Sequence, residues 1–170
     1  MVRTRKYTKR IYRYPKQKWS PVIKSGQVVL NQSNYAHILN LVENSSDTST
    51  PTPVVIKTSH FKMQVDYHTG QGGSVPPYGV YAGIIYVPEG ITITSRENIT
   101  SLISAHPEWV IIHSLIESYD TSGNMVQKTS PLTRNLNSGD RICWYVYSTS
   151  DPVGSNAGVF YNLSWVNRAN

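Results

Sequence analysis

The amino-acid sequence predicts an all-β protein: a single eight-stranded antiparallel jelly-roll sandwich preceded by an extended basic N-terminal arm. Three observations carry this prediction. Eight segments are rich in Val, Ile, Tyr and Trp, clusters of turn-forming residues separate them, and no internal repeat of the kind that builds propellers or solenoids is present. An open barrel stays an alternative, because the periodicity of a strand does not reveal its neighbours in the sheet.

The eight predicted strands differ in how their apolar residues are spaced. Residues 54–67 show partial alternation, which is typical of a strand with one buried face. The runs 84–87 and 109–112 are continuously apolar, so we expect these two strands to be buried on both faces. The predicted strands cover residues 27–31, 37–42, 54–67, 78–87, 109–119, 128–136, 141–149 and 158–165.

One helix is predicted between the strands, over residues 95–105. Ser95 can cap its first turn, Asn98 follows three residues later, and Pro107 stands shortly after its end. The segment 44–53, which is rich in Ser, Thr, Asp and Pro, is expected to be a surface loop.

The positive charge of the chain is concentrated at its N-terminus. The first 24 residues contain nine Lys and Arg and no acidic residue, and the first carboxylate is that of Glu43. Of the 16 basic residues seven remain after position 24, against all 10 acidic ones, so the formal charge of +6 divides into +9 and −3. We therefore divide the chain into a basic arm, residues 1–24, and a jelly-roll domain, residues 25–170, which is not expected to help in binding a polyanion.

The arm is predicted to bind single-stranded nucleic acid. Its cations would release the counterions condensed on the phosphates, so binding should be strong at low salt and nearly indifferent to sequence. The aromatic rings between the cations can stack on unpaired bases, which favours single strands over duplexes. The predicted nucleic-acid-binding residues are Arg3, Arg5, Lys6, Tyr7, Lys9, Arg10, Tyr12, Arg13, Tyr14, Lys16, Lys18 and Trp19.

Other uses of a basic segment stay open. Residues 3–10 would serve as a nuclear import signal, a role compatible with nucleic-acid binding in the same segment. Binding to an acidic lipid surface is less favoured, because Pro15 and Pro21 interrupt a helix and Val2 replaces the glycine that N-myristoylation requires. We expect no membrane partner, no secretory signal and no membrane span, since the longest apolar stretch covers only residues 78–87.

No enzyme activity, cofactor or metal is predicted. The nearest approach to a metal site is His60, Asp66 and His68, whose common strand parity fits a solvent-facing surface equally well. The glycine run at 70–73 lacks the Gly-Lys-Ser/Thr ending of a phosphate-binding loop, and no Gly-X-Ser-X-Gly motif occurs. Cys143, the single cysteine, stands in an apolar run and is expected to be a buried structural thiol.

Three segments of the body form a recognisable series. They read IYVPEG at 85–90, HPEWVI at 106–111 and SPLTRNLNSGDRI at 130–142. This series resembles the capsid proteins of small circular, Rep-encoding single-stranded DNA viruses, circovirus-like in the broad sense, in which close motifs follow in this order. The residues themselves predict ordinary turns: Pro88 and Gly90 end a strand abruptly, and 137–140 is a tight turn.

The resemblance implies a viral coat protein that assembles with itself into a closed icosahedral (T=1) shell of about 60 copies. It further implies packaging of single-stranded DNA through the arm, and a location in the virion and, during assembly, in the host nucleus. Taken without the resemblance, the residues leave two other classes open. One is a carbohydrate-binding β-sandwich module whose aromatic rings stack on sugars, and the other is a cellular single-stranded nucleic-acid-binding protein. The host receptor is not indicated.

Overall fold

The computed structural model describes residues 18–45, 54–69, 79–117, 124–150 and 156–169. Within them lie eight strands, an α-helix, α1 (Arg96–Ala105), and a 3-10 helix (Pro107–Trp109). The strands are β1 (Ser20–Leu30), β2 (Ala36–Glu43), β3 (Ile56–Thr69), β4 (Val80–Val87), β5 (Val110–Ile116), β6 (Asn124–Leu136), β7 (Arg141–Ser148) and β8 (Ala157–Ala169).

The strands form two four-stranded antiparallel sheets, with the orders β1-β8-β3-β6 and β2-β7-β4-β5. The pairing is nested: β1 pairs with β8, β2 with β7, β3 with β6 and β4 with β5. A chain folded double and then wound into two sheets produces this order, which is that of a jelly roll and not that of an open barrel. The predicted fold is therefore confirmed.

The core between the sheets is formed by large apolar side chains of both. Phe61 and Leu163 on one sheet pack in the same cluster as Ile84 and Trp144 on the other. The next residue of β4, Ile85, faces the opposite way and belongs to a second cluster that includes residues of α1. The strand is thus buried on both faces, as its continuous apolar run predicts.

Helix α1 and its flanking segments cover the outer side of the β2-β7-β4-β5 sheet. Ser95 caps the helix, because its hydroxyl oxygen accepts a hydrogen bond from the Asn98 backbone N–H at 3.3 Å. The Asn98 side chain in turn accepts one from the Ser95 hydroxyl at 3.2 Å. Ile99, on the buried side of α1, is fully enclosed. The predicted helix and its cap are confirmed.

Several predicted boundaries are wrong. β6 begins at Asn124 and not at residue 128, and β8 ends at Ala169 and not at residue 165. Trp109 does not begin β5 but closes the 3-10 helix, where its N–H bonds the His106 carbonyl oxygen at 3.1 Å and its ring stacks on the His106 ring at 3.8 Å. The first strand begins at Ser20 and not at residue 27, so residues 20–24 of the predicted arm lie in β1. Lys24 and Gly26 interrupt the apolar pattern in this segment, so the sequence does not indicate a strand there. The segment is a strand because it pairs with β8.

Several predictions fall on residues that the structure does not describe. They are most of the predicted loop at 44–53, the glycine run at 70–73, and the ends of the strands predicted to begin at 78 and to end at 119. β4 is described from Val80 and β5 up to Ile116.

Candidate nucleic-acid interface

Ten of the twelve predicted nucleic-acid-binding residues lie outside the described residues, and two lie inside them. Lys18 and Trp19 come directly before β1. The Trp19 side chain is 40% exposed, and the Arg168 guanidinium of β8 lies 5.2 Å from the centre of its ring. This distance is that of a cation–π contact. The residues outside the description are Arg3, Arg5, Lys6, Tyr7, Lys9, Arg10, Tyr12, Arg13, Tyr14 and Lys16.

The arm joins the sandwich at one of its two ends, which we call the arm end. β1, β3, β5 and β7 begin there, and β2, β4, β6 and β8 finish there. The first paired residue of β1, Ser20, lies opposite Asn167 near the end of β8. The connection that contains α1 and the turn between β6 and β7 lie at the same end.

Basic side chains are concentrated on one of the two sheets. The β1-β8-β3-β6 sheet, with Lys18, carries seven basic side chains and one acidic one, Asp66; five of the seven belong to the body, whereas Lys18 and Lys24 belong to residues 1–24. The other described residues hold two basic side chains, Arg96 and Arg141, and six acidic ones. The mild net negative charge of the body thus does not exclude a locally basic sheet, while the expectation that the body does not help to bind a polyanion stays a prediction. The seven basic residues are Lys18, Lys24, Lys57, Lys62, Lys128, Arg134 and Arg168, and the six acidic ones are Glu43, Glu89, Glu97, Glu108, Glu117 and Asp140.

Part of this charge lies on the side of the β1-β8-β3-β6 sheet that points away from the core, which we call the open face. Side chains alternate along a strand, so residues in register with one another share a face. Arg168 lies opposite Lys57, and Lys62 lies opposite Ser164. The open face includes Trp19, Ile23, Ser25, Gln27 and Val29 with Phe160, Asn162, Ser164, Arg168, Lys57, Lys62, Gln64, Asp66, His68, Met125, Gln127 and Thr129.

The open face contrasts with the outer side of the other sheet, which α1 covers. Ile23 is 73% exposed and Met125 is 61% exposed. Such values mean that none of the described segments packs over these two side chains. Sequence reasoning missed this surface, because its cations are scattered singly over positions 57 to 168 and only the strand order brings them together.

The predicted histidine and carboxylate trio is only partly assembled. His68 Nε2 lies 2.7 Å from Asp66 Oδ2, at the end of the open face that is remote from the arm. His60 is exposed, has a positive φ of 55° and lies where the ladder shifts register between Ser59 and Phe61. In the described ranges, no group of three or more His, Cys, Asp or Glu side chains could hold a metal ion.

The three motifs of the sequence meet at the arm end. The Asp140 carboxylate accepts hydrogen bonds from the Asn137 N–H at 2.9 Å and the Glu89 N–H at 3.1 Å. Burial, together with a hydrogen bond to Asp140, raises the pKa of Tyr86 to about 12. The Tyr86 ring also packs edge-on against Trp109. These contacts fix turns, as predicted.

Cys143 is a buried thiol, as its apolar surroundings predict. Its side chain is 1% exposed, and its Sγ donates to Asn40 Oδ1 at 3.2 Å. Burial raises the pKa of the thiol to about 11, so it is protonated at neutral pH and unsuited to nucleophilic attack.

No protein-family model matches this chain, and no curated protein matches it. Solved structures with a similar chain trace include a chain from Israeli acute paralysis virus, a full particle heated to 63 degrees. It is 12% identical, with 89% of this chain and 74% of that chain covered and a TM-score of 0.39. Desmodium yellow mottle tymovirus is also 12% identical, with 91% of both chains covered and a TM-score of 0.33.

A third similar structure is that of infectious bursal disease virus, Gx strain. It is 8% identical, with 92% of this chain but 37% of that chain covered and a TM-score of 0.29. Because all three TM-scores are below 0.5, the jelly-roll assignment rests on the strand order of this chain. None of the helices in the described residues is long and apolar enough to cross a membrane.

Proposed function

We propose that this chain is the subunit of a viral capsid, which assembles with itself into a closed icosahedral shell and packages single-stranded DNA through its basic N-terminal arm. The observation that carries the proposal is the division of charge, with +9 in the first 24 residues and −3 in the rest. Copies brought together with their arms inward would form a container with a cationic lining. The jelly-roll strand order and the three motifs at 85–90, 106–111 and 130–142 add support.

The arms of such a shell would neutralise a good share of the phosphates of a small genome. With about 60 copies, which closed icosahedral symmetry provides, the arms would supply about 540 positive charges. Each neutralised phosphate releases condensed counterions, so packaging would depend strongly on salt and little on base sequence. An arm with interleaved tyrosines fits this task, because the rings stack on unpaired bases of any kind.

The described structure gives the arm a firm attachment. β1 is paired with β8 from Ser20 to Leu30, and Arg168 packs over Trp19 just before the first pair. Nucleic acid bound to the arm would thus be attached to a strand that is hydrogen-bonded to β8 along its whole length. The start of β1 at Ser20 also determines which truncation leaves the fold intact. Deletion of residues 2–17 leaves β1 complete, whereas deletion of residues 2–24 would remove the first five residues of β1.

Negative-stain microscopy of the purified full chain tests the assembly. We expect uniform closed particles and, on the same sample, an absorbance ratio at 260 and 280 nm that indicates nucleic acid. A chain that stays monomeric or forms small oligomers under all salt and pH conditions would contradict the shell and favour a cellular single-stranded nucleic-acid-binding protein.

Deletion of residues 2–17 tests the role of the arm. We expect folded domains whose nucleic-acid content is lost. The matched control exchanges the arginines of that segment for lysines, keeps the charge and should retain the cargo; its substitutions are Arg3→Lys, Arg5→Lys, Arg10→Lys and Arg13→Lys. Unchanged nucleic-acid content in the deletion would remove the arm from the proposal.

Two finer parts of the proposal have their own measurements. Digestion of the extracted cargo with DNase or RNase distinguishes DNA from RNA, and we expect sensitivity to a nuclease specific for single-stranded DNA. Fusion of residues 1–17 to a fluorescent protein tests nuclear import, for which residues 3–10 carry the basic residues. A fusion that stays outside the nucleus would limit the arm to cargo binding.

A further inference from the structure

We propose that the open face is a second binding surface for single-stranded nucleic acid, continuous with the arm. This inference rests on the proposed function, because it extends the same nucleic-acid site from the arm onto the folded domain. A strand held by the arm would pass Trp19 and Arg168 and then run over the outward side chains of the β1-β8-β3-β6 sheet.

The placement of charge on the open face favours a polyanion. Arg168 and Lys57 lie directly opposite each other at the arm end. Lys62 lies about 13 Å further along the sheet, because its partner Ser164 is four residues from Arg168 on β8, at about 3.3 Å each. Asp66, the one acidic residue described on this sheet, lies beyond Lys62 and is bonded to His68 at 2.7 Å. A strand that leaves the arm therefore meets cations first.

The uncharged side chains of the open face suit unpaired bases. Asn162, Gln64 and Gln127 form one row across three neighbouring strands, and their amides both donate and accept hydrogen bonds. Trp19 and Phe160 lie at opposite ends of the sheet and are each about two-fifths exposed. Arg168 lies over the Trp19 ring, and His68 packs edge-on with Phe160. Single strands commonly bind across sheets that expose aromatic rings in this way.

A second copy of the same face is a poorer occupant. If two open faces met about a two-fold axis, Lys57, Lys62 and Arg168 of each would confront the cations of the other, and like charges opposed across an interface are unfavourable. The remaining protein partner would be an acidic surface of a neighbouring subunit. The Lys62→Gln variant separates such a contact from nucleic-acid binding.

The test measures how the full chain binds a fluorescent oligothymidylate as salt is varied. Lys62→Gln removes a cation from the open face. Lys128→Gln is the matched control, because it is the same change on the same sheet. Lys128 lies on the edge strand β6 and is in register with Met63 of β3, which faces the core, so Lys128 is not on the open face. We expect Lys62→Gln to lower the salt slope by about 0.7 and to weaken binding about fivefold at 0.1 M salt, which is the share of one phosphate contact on a single strand.

The control Lys128→Gln should bind as the unchanged chain does. An equal salt slope for Lys62→Gln and the unchanged chain would overturn the inference. Loss of particle assembly in Lys62→Gln with an unchanged salt slope would also overturn it, because the open face would then contact another subunit. An arm variant, Arg3→Gln with Arg5→Gln, separates the two proposals. If it lowers the slope and Lys62→Gln does not, the arm keeps its proposed role and only the open face is rejected.

A second measurement tests the same inference on the unsubstituted chain, so its result does not depend on whether a variant folds. Lysine acetylation read by mass spectrometry should modify Lys57 and Lys62 more slowly when the oligothymidylate is bound, while Lys128 reacts at the same rate. Equal protection of all three lysines, or of none, would contradict a strand on the open face.

Discussion

The Asp140 carboxylate accepts a hydrogen bond from the Glu89 backbone N–H at 3.1 Å, although 51 residues separate them in the chain. Its second oxygen accepts from the Asn137 N–H at 2.9 Å, and the side chain is buried. One carboxylate thus holds two turns together, one after β4 and one before β7. Motifs that are far apart in the sequence are parts of one structural device.

Asp140→Ala should destabilise the domain by about 2 kcal/mol, because it leaves two N–H groups without their charged acceptor. The urea midpoint of unfolding measures the loss. Glu97→Ala, at an exposed carboxylate of the first turn of α1, is the comparison and should cost less than half as much. Equal effects of the two substitutions would mean that the Asp140 contacts add nothing.

Two glycines should respond to alanine for different reasons. At Gly83 a Cβ would meet the Ile112 carbonyl oxygen and the Tyr145 hydroxyl, so Gly83→Ala should cost about 3 kcal/mol through overpacking. Gly90 has a φ of 80° with open space around it, so Gly90→Ala should cost about 1 kcal/mol from backbone strain alone. Thermal unfolding compares them, and a Gly90→Ala loss as large as that of Gly83→Ala would contradict the packing explanation.

The stability of the domain should fall on acidification below about pH 6.5. Burial lowers the pKa of His37 and of His113, the latter stacked on Tyr81 and bonded to the Tyr145 hydroxyl at 2.6 Å. Between the lowered pKa and the ordinary one, the unfolded chain binds more protons, so stability is full above pH 6.5 and decreases below it.

Urea unfolding at pH 8 and at pH 5.5 measures this dependence. A chain with His37→Asn and His113→Asn should show a smaller loss of stability between the two pH values than the unchanged chain. An identical loss in both chains would assign the pH dependence to other groups.

The Cys143 thiol should be inert in the folded domain. With its side chain 1% exposed and its pKa raised to about 11 by burial, it should not react with a disulfide reagent at pH 8 within the time that unfolded chain reacts fully. In urea, which unfolds the chain, one thiol per chain should react with the reagent. Fast reaction of the native chain would indicate that β7 opens locally.

The sequence determined most of the fold by itself. Continuous apolar runs such as 84–87 predict strands buried on both faces, and Ser95 with Asn98 predicts where α1 begins, because these signals depend on neighbours along the chain. The beginning of β1 escaped prediction. Its residues 20–26 carry a weak apolar pattern, and only the ladder with β8, more than 130 positions away, makes them a strand.

The basic arm was visible in the sequence because its nine charges are clustered within 24 residues and no acidic residue interrupts them, whereas the open face was not. Lys57, Lys62 and Arg168 stand among neutral residues and give no local signal. The nested pairing of the jelly roll puts β3 beside β8, and this brings Lys57, Lys62 and Arg168 together on one sheet. Charge composition is a property of the chain, but the surface on which a charge acts is decided by strand order.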